Sequence, residues 1–185
     1  MALLPYVDFS ACSVDVRDAL AGMPRKLNLF RMWAHAKTSF VPALRLGGAI
    51  MSRQKLKPYY RELVVLLTAK LEGGAYEWSH HTPIAENVGC TRAQIAALDA
   101  LRIEDDCFDQ REKLLLRFVQ EVVEEVRARE ETVMSMAQLF SPQEVVEVIV
   151  TCGYYMMLAR ITETTRTEID PPVGASVLEE LARLR

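Results

Sequence analysis

Ser141-Pro142-Gln143-Glu144-Val145-Val146-Glu147-Val148-Ile149-Val150, running on toward Ile161, is the stretch on which the fold class turns. On side-chain propensity alone its valine run passes for a strand. Its opening argues for a helix. Ser141 stands at the N-cap, Pro142 at the first helical position and Glu144 three residues after the serine, which is a capping box with the favoured first-turn proline. Val145, Val148, Ile149, Cys152 and Met156 then recur at helical spacing, over a length that strands seldom reach.

The same signals repeat outward. Thr91 with Gln94, and Asp109 with Glu112, form further capping boxes. Ile95, Leu98 and Leu101 follow the first of these, and Leu114, Leu115, Phe118, Val119, Val122 and Val126 the second. Leu29, Phe30, Trp33 and Lys37 predict a helix ending before Pro42, and Pro42 opens another through Leu44, Leu46, Ile50 and Met51. Pro58 sits at the start of a helix from about Tyr59 to Glu72, which Gly73-Gly74 ends; Asp170-Pro171-Pro172 breaks the chain before a short terminal helix with Leu178, Leu181 and Leu184. The predicted architecture is all-α, roughly nine helices in a single domain. Residues 1–56 form an N-terminal helical arm with packing helices, 57–170 the core and 171–185 the C-terminal helix.

The chain has 185 residues, half of them hydrophobic and a quarter charged, with eight glycines and eight prolines. That composition excludes disordered, collagen-like and low-complexity classes. A net charge of −3 and a pI near 5.7, without a Lys/Arg block, speak against a nucleic-acid or anionic-membrane surface. The start Met1-Ala2-Leu3-Leu4-Pro5-Tyr6 lacks the features of a signal peptide. The best candidate for a membrane span, Val145 to Ala159, carries Glu147 and is too short. Cys12, Cys90, Cys107 and Cys152 are scattered, with no CxxC pair and no zinc spacing, and read as reduced thiols of a cytoplasmic protein.

Polar residues at apolar positions are the more telling ones. Glu62 shares a helix face with Tyr59, Leu66 and Ala69, and is predicted to face the interior. A buried carboxylate must be paired, hydrogen-bonded or protonated; Arg160, which interrupts its own apolar run, is a candidate partner. In Tyr76-Glu77-Trp78-Ser79-His80-His81-Thr82-Pro83, Glu77 and His81 fall on one helix face and His80 beside Tyr76. Pro83 removes the amide that would bond the carbonyl of Ser79, so the helix either kinks or restarts with Thr82 as N-cap. A carboxylate beside an imidazole is the minimal acid–base unit. A solvated histidine pair at a helix junction is the structural alternative. A metal site of Glu77, His81 and a third ligand is the weaker reading, because the HExxH pattern is absent.

Glu62, eleven residues, Gly74, two residues, Glu77, three residues and His81 resemble the carboxymuconolactone decarboxylase and AhpD-like family. Redox members of that family carry a glutamate, eleven residues, CxxC, three residues and a histidine. Here Gly74 and Glu77 occupy the two thiol positions, so the chain resembles the cysteine-free branch that includes the decarboxylases. The specific match covers about thirty residues, and the flanking helical pattern is similar to longer members. The resemblance implies an AhpD-like helical bundle and a cofactor-independent lyase or isomerase acting on a small carboxylated or carbonyl compound. It implies no metal, and an assembly of trimers or hexamers. On this resemblance His81 is the proton-transfer residue, Glu77 its orienting or partner acid, and Glu62 a second carboxyl with a raised pKa. Tyr76, Trp78 and His80 are pocket candidates, and Arg61 or Arg160 supplies the cation for an anionic substrate. The alternatives are an AhpD-like peroxidase with unusual cysteine placement and a non-catalytic helical ligand-binding oligomer.

Overall fold

A computed structural model describes residues 1–21 and 26–171. The deciding stretch is a helix. Pro142–Thr165 is continuous for 24 residues, and its capping box is formed, Glu144 Oε2 accepting from the Ser141 amide at 2.8 Å. In chain order the α-helices are α1 (Val14–Ala21), α2 (Asn28–Trp33), α3 (Phe40–Arg53), α4 (Pro58–Leu71), α5 (Ala75–Asn87), α6 (Arg92–Asp99), α7 (Gln110–Glu125), α8 (Glu130–Leu139) and α9 (Pro142–Thr165). A 3-10 turn, Phe9–Ala11, precedes them, and no strand occurs among the described residues. The boxes at Thr91 and Asp109 are also formed.

α4 is the central helix. Leu63, Val64, Val65, Leu66 and Leu67 are all 0 % exposed, so every side of it is covered; α5, α6, α7 and α9 do the covering. Each such leucine contributes about 1.5–3 kcal/mol relative to exposure. The larger core cluster joins α4 to α6, α7 and the first half of α9 through Leu66, Leu98, Leu115, Phe118 and Val148. A second cluster seats the N-terminal helices on the opposite flank of α9, where Trp33 meets Phe40 and Tyr154 edge-on. Gly47 makes that approach possible: a Cβ there would lie 2.1 Å from the Tyr154 hydroxyl.

The departures from expectation have local causes. α3 begins at Phe40 and places Pro42 inside its first turn, where a missing amide costs nothing. α2 stops at Trp33 rather than running toward Pro42. α8 carries no side-chain cap of its own. The amide of Arg129, at the N-cap of α8, donates instead to Glu121 Oε2 on α7 at 2.9 Å. Likewise the first amide of α2, Asn28, donates to Asp170 Oδ2 at 2.9 Å, from a residue 142 positions away. α9 outgrows the length assigned to it: among the described residues it alone is long and apolar enough to cross a membrane. Half of that apolar window is buried against the bundle, as in a core helix. The predicted terminal helix with Leu178, Leu181 and Leu184 lies outside the described residues.

Candidate functional site

Glu62 on α4 is 0 % exposed and fully engaged. Its Oε1 accepts from Arg61 Nε at 2.9 Å and its Oε2 from His81 Nδ1 at 2.7 Å. Arg61, itself buried, turns its Nη1 to the carbonyl of Met51 on α3 at 2.8 Å, while its Nη2 is buried with no hydrogen-bond partner among the described residues. Three consequences follow for the expectations. The pairing partner is the neighbouring Arg61 and not Arg160, which lies exposed on α9 bonded to Glu72 and to the Met156 carbonyl. Arg160 is therefore not brought to the site. The pKa of Glu62 moves down and not up: burial opposes ionisation, but His81 and then Arg61 outweigh it and hold the carboxylate below its ordinary range. And Glu62, rather than Glu77, is the carboxylate that orients the imidazole.

His81 stands on α5 with its side chain 11 % exposed. The Tyr155 ring of α9 meets it edge-on, centroids 4.8 Å apart, and the Tyr155 hydroxyl donates to Met51 Sδ at 3.3 Å. With Nδ1 committed to Glu62, Nε2 is the nitrogen left for chemistry, and no hydrogen bond to it is made by the described residues. α5 is continuous through Pro83, so Thr82 does not restart it. The Thr82 hydroxyl donates to the Trp78 carbonyl at 2.8 Å instead.

Glu77, one turn before His81 on the same face, is buried and behaves oppositely to Glu62. Burial, with a smaller contribution from Glu163, pushes its carboxyl up to about 7 against the opposing pull of its own amide, Thr162 and His81. Its two oxygens each lie 3.2 Å from the Thr162 hydroxyl of α9. Gly74 leaves room for this arrangement: a Cβ there would stand 2.7 Å from Glu77 Oε2 and 3.0 Å from Ala159 Cβ.

Tyr76 and His80 form a stacked pair, centroids 4.5 Å apart, on the flank of α5. The Tyr76 hydroxyl donates to Asp170 Oδ2 at 2.6 Å, and His80 Nε2 is buried without a hydrogen-bond partner among the described residues. Burial, and then the nearby His81, lower the His80 pKa. Trp78 packs against the larger core beneath the Lys70 ammonium, and no hydrogen bond links it to His81, Glu62 or Glu77. Tyr155, Met51 and Thr162 were missed by sequence reasoning. The only signal for Tyr155 and Thr162 was polarity inside the apolar run of α9, and Met51, on α3, carried none.

The thiols do not take up the role of the absent pair. No disulfide occurs among the described residues. Burial, with smaller contributions from neighbouring Glu62 and Glu112, pushes Cys90 up to about 12; burial also takes Cys152 to about 12 and Cys107 to about 11. At neutral pH these three are protonated and weakly nucleophilic. Native protein at pH 7 is expected to leave all three slow toward a thiol reagent, reacting fully only on denaturation. A fast thiol among them would restore the peroxidase reading. No group of three or more metal-ligating side chains occurs among the described residues either.

Comparison with known proteins places this arrangement. Residues 43–121 match the carboxymuconolactone decarboxylase family model. The family likeness in sequence lies in that stretch, which is less than half of the chain. It runs from α3 into α7 and holds Arg61, Glu62, Glu77 and His81. Solved structures extend the likeness to the whole bundle. A peroxidase-related protein from Ralstonia eutropha with an alkylhydroperoxidase AhpD core is 16 % identical with a TM-score of 0.78, covering 91 % of this chain and 92 % of that one. A cysteine-to-alanine variant of the debrominase Bmp8, bound to 2,3,4-tribromopyrrole, is 15 % identical with a TM-score of 0.73, covering 100 % and 98 %. A protein of unknown function from Agrobacterium tumefaciens is 21 % identical with a TM-score of 0.67, covering 75 % and 95 %. At these identities the solved structures establish the AhpD-like fold. No curated protein matches. The carboxymuconolactone decarboxylase family includes enzymes, and the same fold carries a debrominase.

Proposed function

We propose that this carboxymuconolactone decarboxylase family protein is a cofactor-independent acid–base enzyme, a decarboxylase-type lyase or an isomerase, acting on a small carboxylated or carbonyl compound. The observation that carries the reading is the division of labour between two buried carboxyls around one imidazole. Glu62 is held ionised and locks His81 Nδ1. Glu77, one helical turn away, titrates at about 7. Two carboxyls driven apart by their surroundings beside a histidine are the usual mark of an assigned acid and base.

The chemistry follows from the tautomer. With the Nδ1 proton donated to Glu62, neutral His81 presents a lone pair on Nε2 and acts as base. Protonated, it presents an Nε2–H and acts as acid. In a decarboxylation the bond from the carboxylate carbon to its neighbour breaks, its electrons enter an enolate, carbon dioxide leaves, and Nε2–H protonates the carbon. In an isomerisation the same nitrogen takes a proton from one carbon and returns it to another, with Glu77 as the reservoir. Arg61, whose Nη2 has no partner among the described residues, is the cation for a substrate carboxylate. Tyr76 and His80 border this region. The trimer or hexamer implied by family likeness finds support in the exposed apolar row Val146, Ile149 and Val150 on α9.

A panel of small lactones and keto acids, incubated with metal-free protein in heavy water and followed by NMR, tests the reading. Deuterium at the reacting carbon, with or without release of carbon dioxide, is expected for at least one member. Absence of exchange across the panel favours a non-catalytic binding module, a reading consistent with both Glu62 oxygens being satisfied inside the protein.

A further inference from the structure

We propose that Thr162 is a positioning residue for Glu77, its hydroxyl turning between the helix backbone and the carboxyl so that Glu77 is hydrogen-bonded in both charge states. Four oxygens surround the threonine hydroxyl. Thr162 Oγ1 lies 3.2 Å from Glu77 Oε1, 3.2 Å from Glu77 Oε2, 3.2 Å from the Leu158 carbonyl and 3.2 Å from the Ala159 carbonyl. A hydroxyl has one proton to donate and lone pairs to accept with. It cannot serve all four atoms at once, and which it serves depends on the proton of Glu77.

When Glu77 is protonated, its own O–H donates to Thr162 Oγ1 and the threonine proton turns to a backbone carbonyl. When Glu77 is ionised, the threonine proton turns to the carboxylate. Neither state leaves a buried donor idle, so the side chain does not have to move as the proton comes and goes. Gly74 completes the seat, since a Cβ at that position would crowd the oxygen that Thr162 contacts and also meet Ala159. The titratable groups around Glu77 are His81 and Tyr76 on α5 and Glu163 and Tyr155 on α9. None of them hydrogen-bonds its carboxylate oxygens; Glu163 is occupied by the amide of Ala75 at 2.9 Å. Thr162 therefore has no substitute among the side chains there.

The proposal rests on Glu77 as a proton carrier only for its consequence in turnover; its test needs no substrate. With carboxyl-labelled glutamate and methyl-labelled threonine, a pH titration by NMR is expected to show the Thr162 methyl moving with the same midpoint as the Glu77 carboxyl carbon. A Thr162 signal indifferent to that titration overturns the proposal without any variant. In Thr162→Val, folded by its amide spectrum, loss of the donor to the ionised form is expected to move the Glu77 midpoint upward by about one pH unit. Thr162→Ser should bring it back. An unmoved midpoint in folded Thr162→Val, or no recovery with serine, also overturns it. Failure of the substrate panel together with a coupled titration would reject the enzyme reading and leave the role of Thr162 standing.

Discussion

Replacing Glu62 by leucine is expected to lower the unfolding free energy by about 3–5 kcal/mol, the cost of removing one partner from a buried ion pair. The loss is not that of a contact alone. Arg61 is buried nearly as deeply as Glu62, and its Nη2 already has no partner among the described residues. Without the carboxylate, its guanidinium has only the Met51 carbonyl to hold its charge inside the bundle. His81 loses its orienting acceptor at the same time. For a chain of this length the melting temperature should fall by about 10 °C. Arg61→Met combined with Glu62→Leu should recover most of the stability, because an apolar pair of similar volume removes the uncompensated charge. Chemical denaturation of the three proteins checks this, and a Glu62→Leu loss below about 1 kcal/mol would contradict it. The pH dependence carries the sign. Glu62 has a folded-state pKa below its unfolded value, so its contribution is present above the unfolded carboxylate range and disappears as pH falls through the folded value. Glu77 works the other way. Its carboxyl is raised to about 7, so the folded state holds a proton that the unfolded chain has released, and stability drains as pH rises from about 4.5 toward 7.

The helices that could be read in advance are those whose ends are written locally. Ser141, Thr91 and Asp109 each cap with a partner three residues on, so a short window of sequence contains the whole signal. α2 and α8 are capped from Asp170 and Glu121, contributed by other parts of the fold, and no local pattern announces them. The site divides the same way. Burial of Glu62 was legible from the apolar residues on every side of it, and the shared face of Glu77 and His81 from their four-residue spacing. The identity of Glu62's partner was not, because helical periodicity places a side chain on a face but leaves open which of two arginines reaches it. Arg61 immediately precedes Glu62 on the same buried helix, whereas Arg160 sits on the outer side of α9 with Glu72. The reversal of the two carboxyls' pKa directions is a tertiary effect for the same reason. Glu62 meets a guanidinium and an imidazole, while Glu77 meets a hydroxyl that α9 brings from 85 residues away.

Glutamine at position 81 is expected to reduce turnover on an identified substrate by about 10²–10⁴-fold, the range of a lost general acid–base, with the fold retained. Glutamine is the informative replacement. Its amide N–H can still donate to Glu62 Oε2, so the buried carboxylate keeps an acceptor role and the site is not emptied. What disappears is the Nε2 nitrogen that takes and returns the proton. The loss should therefore fall on kcat more than on KM, since the change removes an interaction made as the proton moves and leaves binding groups such as Arg61 in place. Glu77→Gln separates the two carboxyls' roles. It keeps the volume and a hydrogen bond to Thr162 while abolishing the titration at about 7, so the kcat profile should lose one pH limb rather than all activity. Stability measured alongside turnover distinguishes these effects from unfolding. Should folded His81→Gln stay within tenfold of the parent, proton transfer through His81 Nε2 would be excluded, and the carboxylate–imidazole pair would be a structural strut of the helical bundle.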